Sequence, residues 1–454
     1  VSLTGLEYLL TDDPAARKWV LAAHERQRHR WELTAPPGAY GVLAALAAHP
    51  DHGDRPLLVV TPSVRAAEDL TAEIGELLGP RSVALFNAWE TLPHERLSPS
   101  ADVVGQRLAV LRRLAAPELG SPDSMRGALA VVVAPVRAML QPIVAGLGDV
   151  EPVALRAGDE IAPTELAVRL TATGYTRTDL VERRGQFAVR GGIVDVFPPT
   201  SDHPIRLEFF GDEVEQLRYF AVTDQRSLSV AEDVWAPVCR ELLLTEQVRA
   251  EAAIQLAQYP QLADLLGPVS EGIAVEGMEA IAPLVTAGLT TLVELLPTDA
   301  AVIVVDPDRV AARADELVAT SAEFLAAGWD VAAGGGKVPV ALEESAYRSL
   351  AQIRATVVER GQAWWRLTPF SAEPTTAGPT ATEAQDGVFM RLDAAAAPHY
   401  RSDLPLAATD IGSRLDEGDR VIVIAAGHGS AQRLVERFTE LDLPAWEAGA
   451  DGVT

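Results

Sequence analysis

Apolar residues in the first third of this 454-residue chain follow two alternating periods. Residues 56–60 (PLLVV) form an unbroken apolar run of strand length, and residues 65–78 follow with apolar positions near helical spacing. Residues 83–86 predict a second short strand. Over 103–114, Val104, Leu108, Leu111 and Leu114 share one helical face, with Arg107, Arg112 and Arg113 mostly off it. Residues 128–133 predict a third strand, closed by Pro135. Fully apolar strands alternating with helices predict a parallel sheet covered on both faces, and so an α/β domain.

The pattern changes near Glu151. Residues 185–198 (GQFAVRGGIVDVFP) alternate around a Gly-Gly pair, and short runs at 205–210 (IRLEFF) and 214–220 follow. Short runs with turn residues between them predict hairpins, hence a small α+β domain at about 145–222 inserted into the first. Beyond it, 242–266 is helix-rich, while 291–296 and 301–305 are strand-like. Residues 375–387 (TTAGPTATEAQDG) have loop composition. A strand at 420–425 leading into a helix to about 441 predicts a third α/β unit. The expected divisions are 1–144 and 223–335 for the two parts of the first domain, 145–222 for the insert and 345–454 for the third.

Composition narrows the function. The net charge is −26, which disfavours a sequence-independent grip on nucleic acid, since that needs a basic stripe to displace counterions. The longest apolar run, residues 127–136, is far short of the roughly 18–20 residues a bilayer span needs. With no signal segment at the start, a cytoplasmic protein is expected. Cys239 is alone, so neither an intramolecular disulfide nor a cysteine zinc site can form, and the eight histidines are scattered. Lys18 and Lys337 are the only lysines.

That scarcity tests for nucleotide chemistry. A phosphate loop needs Gly-x-x-x-x-Gly-Lys-Ser/Thr between strand and helix, its N–H groups and lysine facing the phosphates. Residues 33–42 (LTAPPGAYGV) occupy such a place without a lysine, and Lys337 follows three glycines at the wrong spacing. Asp306, after the apolar run 301–305, reads as a strand end. Gly427-x-Gly429 lacks the third glycine of a dinucleotide fingerprint, leaving Ser430 or Gly429 as a helix cap. No Gly-x-Ser-x-Gly is present, Trp364-Trp365 reads as core plus rim, and His94 and His428 read as structural. No catalytic, cofactor or metal residue is expected.

One local charge imbalance remains. Between Gly174 and Gly191, Arg177, Arg183, Arg184 and Arg190 face Asp179 and Glu182, a net +2 in an acidic chain. On the alternating segment 186–190, Gln186, Ala188 and Arg190 share one face and Phe187 and Val189 the other. Arginines beside an aromatic have the composition of an interface hot spot, but a solvated face has it too, and composition alone leaves the two undecided.

Residues 174–197 (GYTRTDLVERRGQFAVRGGIVDVF), 205–220 (IRLEFFGDEVEQLRYF) and 224–227 (DQRS) resemble bacterial transcription-repair coupling factors. Residues 89–113 (WETLPHERLSPSADVVGQRLAVLRR) and 271–280 (EGIAVEGMEA) resemble the same family, and 340–454 resemble it by order more than by motif. The central segment is also similar to UvrB, the helicase-like excision-repair subunit. UvrB has an intact phosphate loop and an aromatic-rich, damage-probing hairpin, and neither occurs here.

The resemblance implies a degenerate RecA/helicase-like parallel-sheet domain (α/β) with an inserted small α+β domain, followed by a further α/β domain. It implies an adaptor that docks UvrA without an ATP site of its own. Arg177 and Arg190 sit where UvrB-like proteins place UvrA-contacting arginines, whereas Ala188 replaces a third such arginine. Phe187, Arg183 and Arg184 join the candidate surface from face geometry. The family further implies RNA polymerase binding and an ATP- and magnesium-driven double-stranded DNA translocase C-terminal to this region, with the UvrA surface masked by a C-terminal domain. The chain is therefore expected to be the N-terminal part of a longer protein. Rival readings are a nucleotide hydrolase with a divergent loop at 33–41 and a direct binder of damaged DNA.

Overall fold

The computed structural model describes residues 10–25, 30–49, 56–117, 127–370, 387–425 and 427–447. Its centre is a seven-stranded sheet. In spatial order the strands are Gly387–Arg391, Arg30–Thr34, Ala363–Thr368, Ala301–Val305, Leu57–Thr61, Val131–Pro135 and Val83–Leu85. Every neighbouring pair is parallel.

Three central strands, Leu57–Thr61, Val131–Pro135 and Ala301–Val305, are buried at all five positions because each face has its own core. Leu57 and Val59 enter one core with Trp19, Leu43 and Trp365, while Leu58 and Val60 enter the other with Leu108, Val136 and Trp364. The twofold period of a strand thus splits the tryptophan pair between the layers. Trp365 is fully buried with its ring 4.9 Å from that of Trp19, and Trp364 lies near the rim of the opposite core. The flanking helix Val64–Leu78 starts where the Ser63 hydroxyl accepts from the Ala66 N–H, and stops at Gly79. Ser100 caps Ala101–Ala115 in the same way. Such caps satisfy N–H groups that a helix leaves without partners.

The sheet extends past the expected boundary at 335. Ala363–Thr368 lies between Arg30–Thr34 and Ala301–Val305, so an expected third domain starting at 345 would cut the first sheet in two. This strand is buried at every position but Arg366 and finds two covered faces only there. Beyond Leu392, the helices Leu404–Asp416 and His428–Glu440 pack through Ala408, Phe438 and Leu443. The strand expected at 420–425 is not formed among the described residues. No ladder lies alongside it, and Val423 and Ile424 are 50% and 59% exposed. Residues 291–296 also depart from expectation: Leu292–Leu295 is a short helix, started by a capping box of Thr291 and Glu294. The loop expected at 375–387 lies outside the described residues except at Gly387, which opens a strand.

Gly41, in the helix Tyr40–Ala48, leaves space into which the Glu73 side chain packs, and a Cβ there would lie 2.3 Å from its Cδ. Burial raises the Glu73 carboxyl to about 7. Between the ordinary carboxylate range and pH 7 the folded chain therefore holds a proton that the unfolded chain has released. Stability falls as pH rises through that window. Glu73→Gln is expected to stabilise the protein by about 1–3 kcal/mol at pH 8 and to change little at pH 4, as read by urea unfolding at the two pH values.

Candidate functional site

Val153–Arg156 pairs antiparallel with Asp233–Ala236, so the chain leaves the parallel-sheet frame and rejoins it through one two-stranded ladder. The insert accordingly runs to 236, past the expected 222. It carries the helix Pro163–Ala172 and a six-stranded sheet ordered Ser227–Val230, Glu213–Phe220, Ile205–Phe210, Ile193–Val196, Gln186–Arg190 and Thr176–Arg177. All neighbours are antiparallel except the last pair. The expected hairpin of Gln186–Arg190 with Ile193–Val196 turns at Gly191, whose φ of 59° is strained for side chains with a Cβ. One sheet face, with Phe187, Val194, Leu207 and Leu217, closes a core against Leu166 and Leu170 of the helix.

The other face is polar at its centre. Cross-strand register puts Ala188, Asp195, Arg206 and Arg218 in one row, with Arg190 two residues from Ala188. Asp195 is fully buried. Its Oδ2 accepts from Arg190 Nη2 at 2.5 Å and from Arg206 Nη2 at 2.9 Å, and its Oδ1 accepts from Arg206 Nε at 2.7 Å. The Arg206 guanidinium also lies 4.6 Å from the Phe220 ring centroid. Its hydrogen bonds to Asp195, above all, hold its pKa above the ordinary value. A shared buried carboxylate thereby fixes Arg190 while leaving 47% of that side chain exposed. Sequence reasoning missed Asp195 and Arg206. The signals were a lone charge within IVDVF and the alternation of IRLEFF.

The five candidate residues do not form one group. Arg177 is exposed on the edge strand, Arg183 is exposed in the loop before Gln186–Arg190, and neither side chain has an ion-pair partner among the described residues. Arg184 is turned inward: its Nε donates to the Ser201 carbonyl at 3.0 Å, its Nη1 is 3.4 Å from Asp102 Oδ2, and its guanidinium lies 5.3 Å from the Phe197 ring centroid. Phe187 has no exposure and belongs to the insert's core, which removes it from any surface. The Ala188 side is also covered, by Val181, Phe197 and Phe220, so the strand is free only near Arg190.

Arg184 marks the junction with the frame. There Gly105 of the helix Ala101–Ala115 meets the Pro199 ring so closely that a Cβ would lie 2.1 Å from Pro199 Cβ. Below it Arg107 and Glu241, both buried, pair at 2.6 Å. Glu241 also accepts from Trp89 Nε1 at 2.8 Å, and Arg107 donates to the Asn87 carbonyl at 2.6 Å over the Phe86 ring. Arg240 lies 3.3 Å from Glu279, which accepts from Ser98 Oγ at 2.6 Å. Arg107 is therefore central to the buried face it was expected to avoid. Arg113 is also buried, donating to the carbonyls of Gly127 and Arg81, and burial lowers its pKa to about 10. At the same seam, burial pushes the Cys239 thiol up to about 12, far from a nucleophile's range.

Residues 33–42 adopt a strand, a turn and a helix in succession. Pro36 and Pro37 have no N–H to offer, the Ala35 N–H is taken by the Thr368 carbonyl, and the Ala39 N–H is taken by the Pro36 carbonyl. Asp306 adds negative charge beside Tyr40, raising that phenol's pKa together with the larger effect of burial. Asp306 itself holds a left-handed φ of 54° and pairs with Arg309 at 3.3 Å. His94 is buried, 3.4 Å from Ser321 Oγ, and His428 lies 2.6 Å from Glu447. Gly427 is the N-cap of the last helix, where neither Gly429 nor Ser430 supplies a side-chain cap. Among the described residues no cluster of three metal-ligating side chains occurs, and no helix is long and apolar enough to cross a membrane.

The frame and the insert together define an α/β module carrying a protein-interaction domain: the family model described as UvrB interaction domain matches residues 153–236, the limits of the closing ladder. Transcription-repair-coupling factors of Mycobacterium bovis and Mycobacterium tuberculosis are each 42% identical over 436 residues, covering 91% of this chain and 33% of theirs. That of Escherichia coli is 32% identical over 209 residues, covering 46% of this chain and 17% of its own length. The chain corresponds to the N-terminal region of the transcription-repair-coupling-factor family. It spans about a third of the length of the mycobacterial relatives.

Glu241→Ala would strand the Arg107 guanidinium without its charge partner and is expected to destabilise the protein by about 3–5 kcal/mol. Replacing both members of the pair by Met and Leu is expected to cost much less, because no orphaned charge remains. Chemical unfolding of the three proteins checks the pair.

Proposed function

We propose that this chain is a UvrA-recruiting adaptor that binds through the exposed edge of its inserted domain and uses no nucleotide of its own. The observation that carries the reading is Arg190, held by the buried Asp195 yet half-exposed, within a domain matched as UvrB interaction domain. A guanidinium fixed along one edge keeps donors free for a carboxylate, and its rotamer entropy is already lost before binding. Arg177 and Arg183, exposed and without ion-pair partners, extend the cationic edge. Arg184 is occupied at the junction and acts by placing the insert on the frame.

The lack of nucleotide use is supported by the 33–42 turn. A phosphate there would meet two prolines, N–H groups already bonded and a neighbouring Asp306 carboxylate, with no lysine to neutralise it. In a full-length protein of this family the adaptor would serve an ATP- and magnesium-dependent motor on double-stranded DNA and a contact with RNA polymerase, both outside this region. A C-terminal domain would mask the cationic edge at rest. The whole protein would then link stalled transcription to excision repair.

Calorimetric titration into UvrA tests the docking surface. Arg190→Ala is expected to weaken binding by about 2 kcal/mol or more and to lower the melting temperature modestly while the protein stays folded, since Arg206 still holds Asp195, and Arg177→Ala to weaken binding less, as a rim contact does. Retained full affinity in both variants would move the interface off the insert. Millimolar ATP with magnesium is expected to leave the melting temperature unchanged, whereas ligand at about 100 times its dissociation constant would add about 2.7 kcal/mol of stability.

A further inference from the structure

We infer that the docking surface anchored by Arg190 also includes Arg218, at the far end of the same cross-strand row, and that Arg218 takes a carboxylate of the partner; the inference rests on the docking reading above. Arg218 stands directly opposite Arg206 in the ladder of Ile205–Phe210 with Glu213–Phe220. Like charges at such a pair repel and cost stability unless something offsets them. Asp195 bonds both Arg206 and Arg190 but carries a single negative charge, so the three groups keep a net +1 beside Arg218. Arg218 has no ion-pair partner among the described residues and is only partly exposed, so solvent does not fully screen it either. On its outer side the register partner is Val230, an exposed apolar residue of the edge strand.

The charges on this face are Arg190, Arg206 and Arg218 against Asp195 and Glu208, a net +1 on a chain of −26. Glu208 lies in the row of Ile193 and Gln216, two residues along the strand from Arg206. Arg218 is the one arginine of the three that Asp195 does not bond. A partner carboxylate seated over Arg218 would remove the repulsion that the free protein tolerates, with Val230 beside it as an apolar contact. Charge complementarity thus identifies the partner surface as acidic with an apolar border. The stability cost in the free protein is a second consequence of the same geometry, independent of binding.

Arg218→Gln separates the two consequences. Melting of the purified chain is expected to stay level or rise, because the Arg206–Arg218 repulsion is gone. Affinity for UvrA in calorimetric titration is expected to fall about tenfold, and further for Arg218→Glu. Arg65→Gln changes the net charge equally at an exposed position on the frame, and is expected to leave affinity unchanged, which excludes a general charge effect. Unchanged affinity for Arg218→Gln in a chain whose Arg190→Ala variant has lost binding would overturn the inference and leave the docking reading standing. Absence of UvrA binding by the parent chain would instead overturn the docking reading on which the inference rests. A drop in melting temperature for Arg218→Gln would overturn the repulsion argument, since it would assign the side chain a stabilising contact.

Discussion

The pair of Arg107 and Glu241 is the constraint on which the arrangement of this molecule depends. Two charges without solvent contact persist only where their remaining donors and acceptors are also satisfied, and here Trp89, Asn87 and the Phe86 ring complete the set. Arg107 belongs to the frame helix Ala101–Ala115, whereas Glu241 lies on the segment returning from the insert. Their union therefore sets the angle at which the insert meets the frame. Close packing of Gly105 on Pro199 and the bonds of Arg184 rest on that same seam. The long motifs at 89–113 and 271–280 supply it, which gives a physical meaning to segments that otherwise offer no chemistry.

A second buried carboxylate has a different task. Asp195 lies inside the insert and holds two guanidinium groups, one nearly covered and one half-exposed. Fixing a cation at a surface in this way trades flexibility for directional donors, a useful exchange for recognition of a planar acid. The two carboxylates thus divide the work, with Glu241 setting the position of the domain and Asp195 that of a side chain on it.

Much of the frame was legible in the sequence because its central strands are apolar on both faces and its helices are capped by serines. Apart from 291–296, where a local capping box starts a helix, what misled was a matter of partners. Residues 420–425 have a strand's composition and no neighbouring ladder, while 363–368 belong to a sheet whose other strands lie far away in sequence. The site was legible as a cluster of arginines, but not in its roles. Arg184 looks like Arg183 in the sequence, and only the fold turns one toward Asp102 and leaves the other in water. Phe187 likewise reads as an interface aromatic until the helix Pro163–Ala172 is seen to cover it. Alternation identifies faces, but which face is covered depends on elements distant in sequence.

The ladder of Val153–Arg156 with Asp233–Ala236 has a consequence for how the chain folds. The paired strands Val131–Pro135 and Leu57–Thr61 precede the insert, and Ala301–Val305 follows it. If the insert closes first, the long excursion between these parts shrinks to a pinned loop, and the entropic cost of joining them falls with it. The insert would then act on the frame as a clasp, and any change that loosened its own core would slow assembly of a sheet it scarcely touches.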